Sequence, residues 1–291
     1  MTRPPLPAPL LLPASGDLPV LLSVPHSGTA YPDWLIAEAR RGVKSLEPLE
    51  DPLVDRLVWR AVALGCPAVI ARTPRAAIDC NRGLEEVDRG GLARPGAVPE
   101  AENDLGSDPG PRARAGLGLI PERTPRDGDL WRRRLTNAEI ALRTAEAWEP
   151  YHRAVATELA ALHTRFGTAL LLDCHSMPPL GVNQPQLVLG DRHGRSAARW
   201  LGDRARLTVE RSGFKAVFND PYAGGAIVAQ HGAPGRGVHA IQIEVDRSAY
   251  LDRTLRRPGA GFDECARLIE TLARTLGEAL IEARRIPLAA E

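Results

Sequence analysis

Two short segments place a histidine in the same local setting. SVPHSG carries His26 at the end of an apolar run, followed by Ser27 and Gly28, and LLLDCHSM carries His175 followed by Ser176. If both runs are strands of an open α/β sheet, the imidazoles project beyond the carboxyl ends of strands, where such sheets bind ligands. One histidine at a strand end is ordinarily a hydrogen-bonded structural residue. Two in matching contexts point to a shared metal, because neutral imidazole is a common zinc ligand. A catalytic zinc also needs a third protein ligand and an open position for water. Asp51 is the candidate, with Glu50 as the alternative, although Asp ahead of Pro52 at the start of a helical pattern also reads as an ordinary N-cap. Asp55, one turn later, reads as a helix-surface or supporting residue.

The segment VHAIQIEV (238–245) adds a carboxylate. Strand alternation puts His239, Ile241, Ile243 and Val245 on one face and Gln242, Glu244 and Asp246 on the other. An unpartnered carboxylate buried in such a strand costs several kcal/mol, so Glu244 is paired, faces a cleft, or lies on a solvated face. In a cleft it suits a general base acting on metal-activated water. AIDCNR ends in Asn81 and Arg82, and the planar fork of Arg82 matches a substrate carboxylate; an ion pair to Asp79 or Glu85 is the structural alternative. Arg75 is a second cation nearby in sequence. Cys174 adjoins His175, but strand neighbours point to opposite faces, which argues against a dyad between them. The chain has no Gly-x-Ser-x-Gly elbow, no P-loop and no Gly-x-Gly-x-x-Gly, so the usual serine-hydrolase and nucleotide fingerprints are missing.

The elements that must position these residues alternate along the chain. Strands are expected at 19–26, 67–73, 76–82, 168–175, 185–190, 214–218 and 238–245, where short apolar runs are bounded by Gly, Pro or polar residues. A helix is expected over 52–65, with Leu53, Leu57 and Leu64 on one stripe and Pro52 in its first turn. Thr136 and Glu139 form a capping box opening a helix at 137–148, which Pro150 ends before starting the next. Further helices fall at about 195–211 and 260–284. The pattern predicts a three-layer α/β/α sandwich around a mixed, mostly parallel sheet, in one domain spanning 1–291. Residues 83–129 hold 9 Gly and 6 Pro in 47 positions, which marks a long loop, either a lid over a site or a plain insertion.

Composition narrows the partners. The 291 residues carry 37 Lys+Arg against 36 Asp+Glu, a net charge of +1, which offers no field for nucleic acid. Lysine occurs only at Lys44 and Lys215, so the abundance of arginine reflects composition more than recognition. No apolar run reaches the ~18 residues of a spanning helix, and the opening MTRPPLPAPLLLPASGD makes a poor signal peptide. Cys66, Cys80, Cys174 and Cys265 are scattered, as expected for reduced thiols in a cytoplasmic protein, a monomer or small homo-oligomer.

Taken in order, SVPHSG, the D-x-x-V-D-R-L pattern at Asp51 to Leu57, AIDCNR, LTNAEIALR, EPYHRAV, LLLDCHSM, FNDPYAGG and AIQIEVDRSAYLD resemble the N-formylglutamate amidohydrolase family over roughly 18–255. The resemblance implies a zinc-carboxypeptidase-like fold. It implies His26, Asp51 and His175 as ligands of Zn2+ or another divalent transition metal, Glu244 as the catalytic carboxylate, and Asn81 and Arg82 as binders of substrate carboxylate; a dianionic substrate needs cationic partners, for which Arg75 and Arg247 stand behind Arg82. The expected reaction is hydrolysis of N-formyl-L-glutamate to formate and L-glutamate, a step of histidine degradation. Alternatives are hydrolysis of another small acidic N-acyl amino acid or peptide amide, or a catalytically silent binding protein. The carboxypeptidase His-x-x-Glu pair is absent, because Thr29 follows His26 by three, so the carboxylate ligand must come from the Asp51 region. Ala223 in the PYAGG loop stands where a larger, often basic residue is expected.

Overall fold

In the computed structural model, which describes residues 3–87 and 110–285, the apolar run Val20–Val24 is a strand with all five residues buried. The strands in chain order are β1 (Leu10–Leu12), β2 (Val20–Val24), β3 (Ala68–Ile70), β4 (Arg123–Thr124), β5 (Gly128–Asp129), β6 (Ala169–Met177), β7 (Leu187–Gly190), β8 (Ala216–Phe218) and β9 (Val238–Asp246). The helices are α1 (Asp33–Glu38), α2 (Val54–Leu57), α3 (Trp59–Ala63), α4 (Gly110–Arg114), α5 (Asn137–Arg143), α6 (Glu149–Phe166), α7 (Arg199–Arg211), α8 (Ala226–His231), α9 (Arg247–Tyr250) and α10 (Phe262–Arg285). The residues gather into two compact units, one of Gly28–Glu50 and Ala71–Tyr151 with the chain up to Pro9, the other of Leu10–Ser27, Asp51–Ile70 and the chain from His152 onward.

The second unit holds a mixed seven-stranded sheet in the order β1-β3-β2-β6-β9-β7-β8. The pairs β3–β2, β2–β6, β6–β9 and β7–β8 are parallel, while β1–β3 and β9–β7 are antiparallel. Alternation sorts the side chains as the sequence requires. Leu170, Leu172 and Cys174 of β6 join Ile241, Ile243 and Val245 of β9 in one core with α2, α3, α7 and α10. The other face receives α8, which packs on β6 and β9, and α6 meets α8 through His152 and His231. Helices thus cover both faces of the sheet, the expected three layers. The pairing of β6 with β9 runs from Ala169↔Val238 to Met177↔Asp246 and sets His175 opposite Glu244.

The first unit has its own core, in which Leu35, Leu46, Ile78, Leu130, Trp131 and Trp148 are buried. Arg143 is fully buried inside it, with its guanidinium near the rings of Trp34 and Trp131 and paired to Glu38 at 2.8 Å. The Thr136–Glu139 capping box opens α5 as expected. A π-helical turn (Thr144–Trp148) then joins α5 to α6. Pro150 lacks the N–H that would bond back to the preceding turn, and the wide turn ends just before it.

Two local expectations change, and one strand is new. Residues 76–82 form turns rather than a strand, because the Asp79 carboxylate accepts the Asn81 backbone N–H (2.8 Å) and Arg75 Nε (2.8 Å), while Ala77 N–H bonds to the Pro74 carbonyl. Such local bonds compete with a strand ladder. The helix expected at 52–65 is two short ones: Leu53 takes a left-handed φ of 61° ahead of α2, and Val58 separates α2 from α3. Leu10–Leu12, inside the proline-rich opening, pairs as the edge strand β1. Of the Gly/Pro-rich segment 83–129, residues 88–109 lie outside the described residues, and the remainder includes α4 and the β4–β5 hairpin.

Candidate metal centre

His26 lies just beyond the end of β2, His175 lies within β6, and Asp51 starts the segment leading to α2. The structure brings all three together: His26 Nδ1 and His175 Nδ1 are 3.1 Å apart, and each is 3.2 Å from Asp51 Oδ2. All three side chains are buried, and their donor atoms lie within 4.8 Å of one another, the one such cluster among the described residues that could hold a metal ion. Two imidazole nitrogens facing each other cannot both carry a proton. Together with one carboxylate oxygen they form a tripod suited to a cation of borderline softness. Burial alone would raise the Asp51 carboxyl; hydrogen bonds from His175 and His26, and their charge, outweigh it and hold the group well below the usual carboxylate range. Burial alone would lower His175, but the charge and hydrogen bonding of Asp173, with help from Asp51, hold it well above the usual imidazole range.

Asp51 reaches this position because another residue serves the helix start. Ser27 Oγ accepts the Asp55 backbone N–H (3.1 Å) and Tyr250 Oη donates to the Pro52 carbonyl (2.6 Å), while α2 has no side-chain N-cap. The N-cap reading of Asp51 is therefore set aside, and its carboxylate faces the histidines. Glu50 accepts a hydrogen bond from Tyr31 Oη and is absent from the His26–Asp51–His175 cluster. Asp55 is half-buried, and burial raises its carboxyl above the ordinary value.

Glu244 is buried on β9, and Gln242 Nε2 donates to its Oε1 at 2.9 Å. The Gln242 amide is oriented by the other end of its own group, since Oε1 accepts the Gly225 N–H (2.9 Å). Arg247 donates from one terminal nitrogen to Asp51 Oδ1 (3.1 Å) and from Nε to Ser176 Oγ (3.1 Å), so it braces the carboxylate of the cluster.

Asn81, Arg82 and Arg75 belong to the first unit, gathered about Asp79. Arg82 is buried, donates from Nε to the Leu117 carbonyl (3.0 Å) and from another nitrogen to the Asn81 carbonyl (3.0 Å), and lies 3.6 Å from Glu86. Its acidic neighbours are Asp79 and Glu86, not Glu85. Burial makes its proton easier to lose than usual, and Asp79 partly offsets this. Cys174 sits in the apolar core on the face of β6 opposite His175, and burial pushes its thiol far up, against a nucleophilic role.

The sequence reading leaves the supporting groups unassigned, although the same alternation contains them. Asp173 and His175 are two apart on one strand, as are Gln242 and Glu244, and both pairs are hydrogen-bonded. Ser23 and the His152–His231 pair (Nδ1 to Nε2, 2.9 Å) carry no comparable local signal, because their partners are distant in sequence.

Comparison with known proteins places the chain among its relatives. Residues 18–251 match the model of the N-formylglutamate amidohydrolase family. N-formylglutamate deformylase of Pseudomonas aeruginosa is 31% identical over 278 residues, covering 91% of this chain and 94% of that protein. The protein of the same name from Pseudomonas putida is 30% identical over 278 residues, covering 91% and 93%. The crystal structure of N-formylglutamate amidohydrolase from Ralstonia eutropha JMP134 superposes with a TM-score of 0.83 at 30% identity, covering 95% of this chain and 99% of that one. A family match across most of the length, relatives covered nearly end to end and a shared fold have one reading: this chain belongs to the N-formylglutamate amidohydrolase family.

Proposed function

We propose that the chain is a zinc-dependent amidohydrolase that cleaves N-formyl-L-glutamate to formate and L-glutamate. The observation that carries the reading is the buried tripod of His26, Asp51 and His175, with Glu244 directly across the β6–β9 register from His175. Two imidazoles and one carboxylate are a donor set that catalytic zinc accepts while keeping a position open. When bound, the metal polarises the formyl carbonyl and makes water more acidic. The residues of the chain do the rest. Glu244 takes a proton from the attacking water as the new C–O bond forms, and returns it to nitrogen as the C–N bond breaks, because an amine anion cannot leave. Gln242, anchored on Gly225, keeps one oxygen of Glu244 engaged and fixes its direction.

The substrate carries two carboxylates, and Arg82 is assigned to meet one of them, with Asn81 beside it and Arg75 as a further cation. Arg247 is reassigned to bracing Asp51. The family match runs through segments of both units, which supports reading them as parts of one catalytic domain. The same reading puts the enzyme in histidine degradation and in the cytoplasm, the latter in keeping with four free cysteines.

The test is formate release from N-formyl-L-glutamate, N-formyl-L-aspartate, N-formyl-L-leucine and N-acetyl-L-glutamate, with metal content measured on the same preparation. Fastest turnover of N-formyl-L-glutamate with about one zinc per chain supports the proposal. Faster turnover of another substrate moves the assignment to a different acyl amino acid. Stoichiometric metal with no turnover of any would make the chain a binding protein.

A further inference from the structure

Asp173 is fully buried in the central strand β6, and both of its oxygens are engaged. Ser23 Oγ, on the adjoining strand β2 and also fully buried, donates to Oδ1 at 2.7 Å, and His175 Nε2 lies 2.8 Å from Oδ2. A carboxylate already receiving one hydrogen bond accepts another from an imidazole only if that nitrogen carries the proton. Asp173 lies nearer to Nε2 (2.8 Å) than Asp51 does to Nδ1 (3.2 Å), so when a metal takes the place of the proton shared between Nδ1 and Asp51, the proton on Nε2 stays and the Nδ1 lone pair is turned toward the tripod. The other tautomer would point an N–H into the tripod, where a metal would sit.

We infer that Asp173, held in place by Ser23, is a positioning residue that selects the Nε2–H tautomer of His175 and presents Nδ1 for metal binding. The inference rests on His26, Asp51 and His175 being the metal ligands. The relay is rigid because both strands are central and parallel, with Ser23 directly across the register from Asp173. It is local because Asp173 and His175 share a face of one strand. A partner on the ring nitrogen away from the metal raises the basicity of the ligand and fixes the ring, and its loss costs about 10–100-fold in metal affinity.

The experiment measures zinc affinity by competition with a chromophoric chelator for the unaltered protein, Ser23→Ala, Asp173→Asn and His175→Ala, with thermal melts alongside. It also reads the ring nitrogens of His175 by long-range ¹H–¹⁵N correlation in the zinc-loaded unaltered protein. Expected are about 10–100-fold weaker zinc binding in Asp173→Asn, a smaller loss in Ser23→Ala, and a proton on Nε2 with zinc on Nδ1. Unchanged affinity in a folded Asp173→Asn variant overturns the inference. So does a proton on Nδ1 or zinc on Nε2 of the unaltered protein, a readout that needs no variant to fold. If His175→Ala binds zinc as tightly as the unaltered protein, the underlying ligand assignment fails instead, which separates the two ideas.

Discussion

Asp51 and Asp79 are both buried carboxylates, yet they are surrounded by different kinds of donor. Asp79 receives a guanidinium from Arg75 and a backbone N–H from Asn81, with Arg82 Nε at 4.0 Å. Those donors keep their protons at any ordinary pH, so the cluster is a closed clamp that holds the 75–82 turns in shape. One oxygen of Asp51 is braced in a similar way by Arg247, but the other faces two imidazole nitrogens that also face each other. An imidazole nitrogen can hold a proton or give its lone pair to a metal. Burial is alike at the two places; what sets the Asp51 cluster apart as the candidate site is that its imidazole partners can exchange a proton for a cation.

The contrast can be broken most directly at the imidazoles. His26→Ala or His175→Ala should remove bound metal and lower turnover by about 10³-fold or more, while unfolding remains cooperative. Metal analysis and a thermal melt on each variant decide this, and full metal content in both would move the site elsewhere. Glu244→Gln keeps the shape of the side chain and removes its basicity. It should retain metal and lose about 10²–10⁴-fold in kcat; a near-normal kcat would make Glu244 structural.

Arg82 tests whether the Asp79 cluster is only a clamp. Arg82→Ala should lower kcat/KM for N-formylglutamate by roughly tenfold to a hundredfold, and much less for a formyl amino acid amide lacking the contacted carboxylate. Arg82→Lys should restore only part, because an ammonium cannot reproduce the planar fork. Equal losses on both substrates would leave Arg82 as a brace for the Leu117 and Asn81 carbonyls.

The smallest effect concerns stability and pH. Burial, then neighbouring His152, pulls His231 from its ordinary 6.5 to about 4. A depressed imidazole favours the folded state fully above 6.5, and that contribution fades as pH falls from 6.5 toward 4. The span corresponds to at most about 3 kcal/mol. Urea unfolding at pH 7 and pH 5 should show the unaltered protein losing more stability than His231→Gln, and equal losses would remove His231 from the account.

Much of the arrangement is legible in the chain itself. The runs at 168–175 and 238–245 are long, apolar and alternating, and they form β6 and β9 with the faces that period two assigns. Matching contexts around His26 and His175 were enough to pair them, and position between strand and helix was enough to nominate Asp51. The short segments were less legible. AAIDCNR has the apolar content of a strand, but Asp79 bonds to its own neighbours and closes turns instead. Leu10–Leu12 looks like a broken apolar run and becomes a strand only because β3 offers it an edge.

The sequence by itself determined which residue types were available, which face of each long strand they occupy, and the family to which the chain belongs. Covalent geometry enforces alternation locally, so His175 and Asp173 had to share a face, as did Gln242 and Glu244. Only the tertiary structure decided between Asp51 as helix cap and Asp51 as partner of the histidines, because the Ser27 hydroxyl, not the Asp51 carboxylate, accepts the Asp55 N–H in the first turn of α2. It alone also turned Arg247 toward Asp51 and Ser23 toward Asp173. Those contacts join residues 196 and 150 positions apart, and their strength depends on burial and on which strand lies beside which, neither of which any local stretch of chain contains.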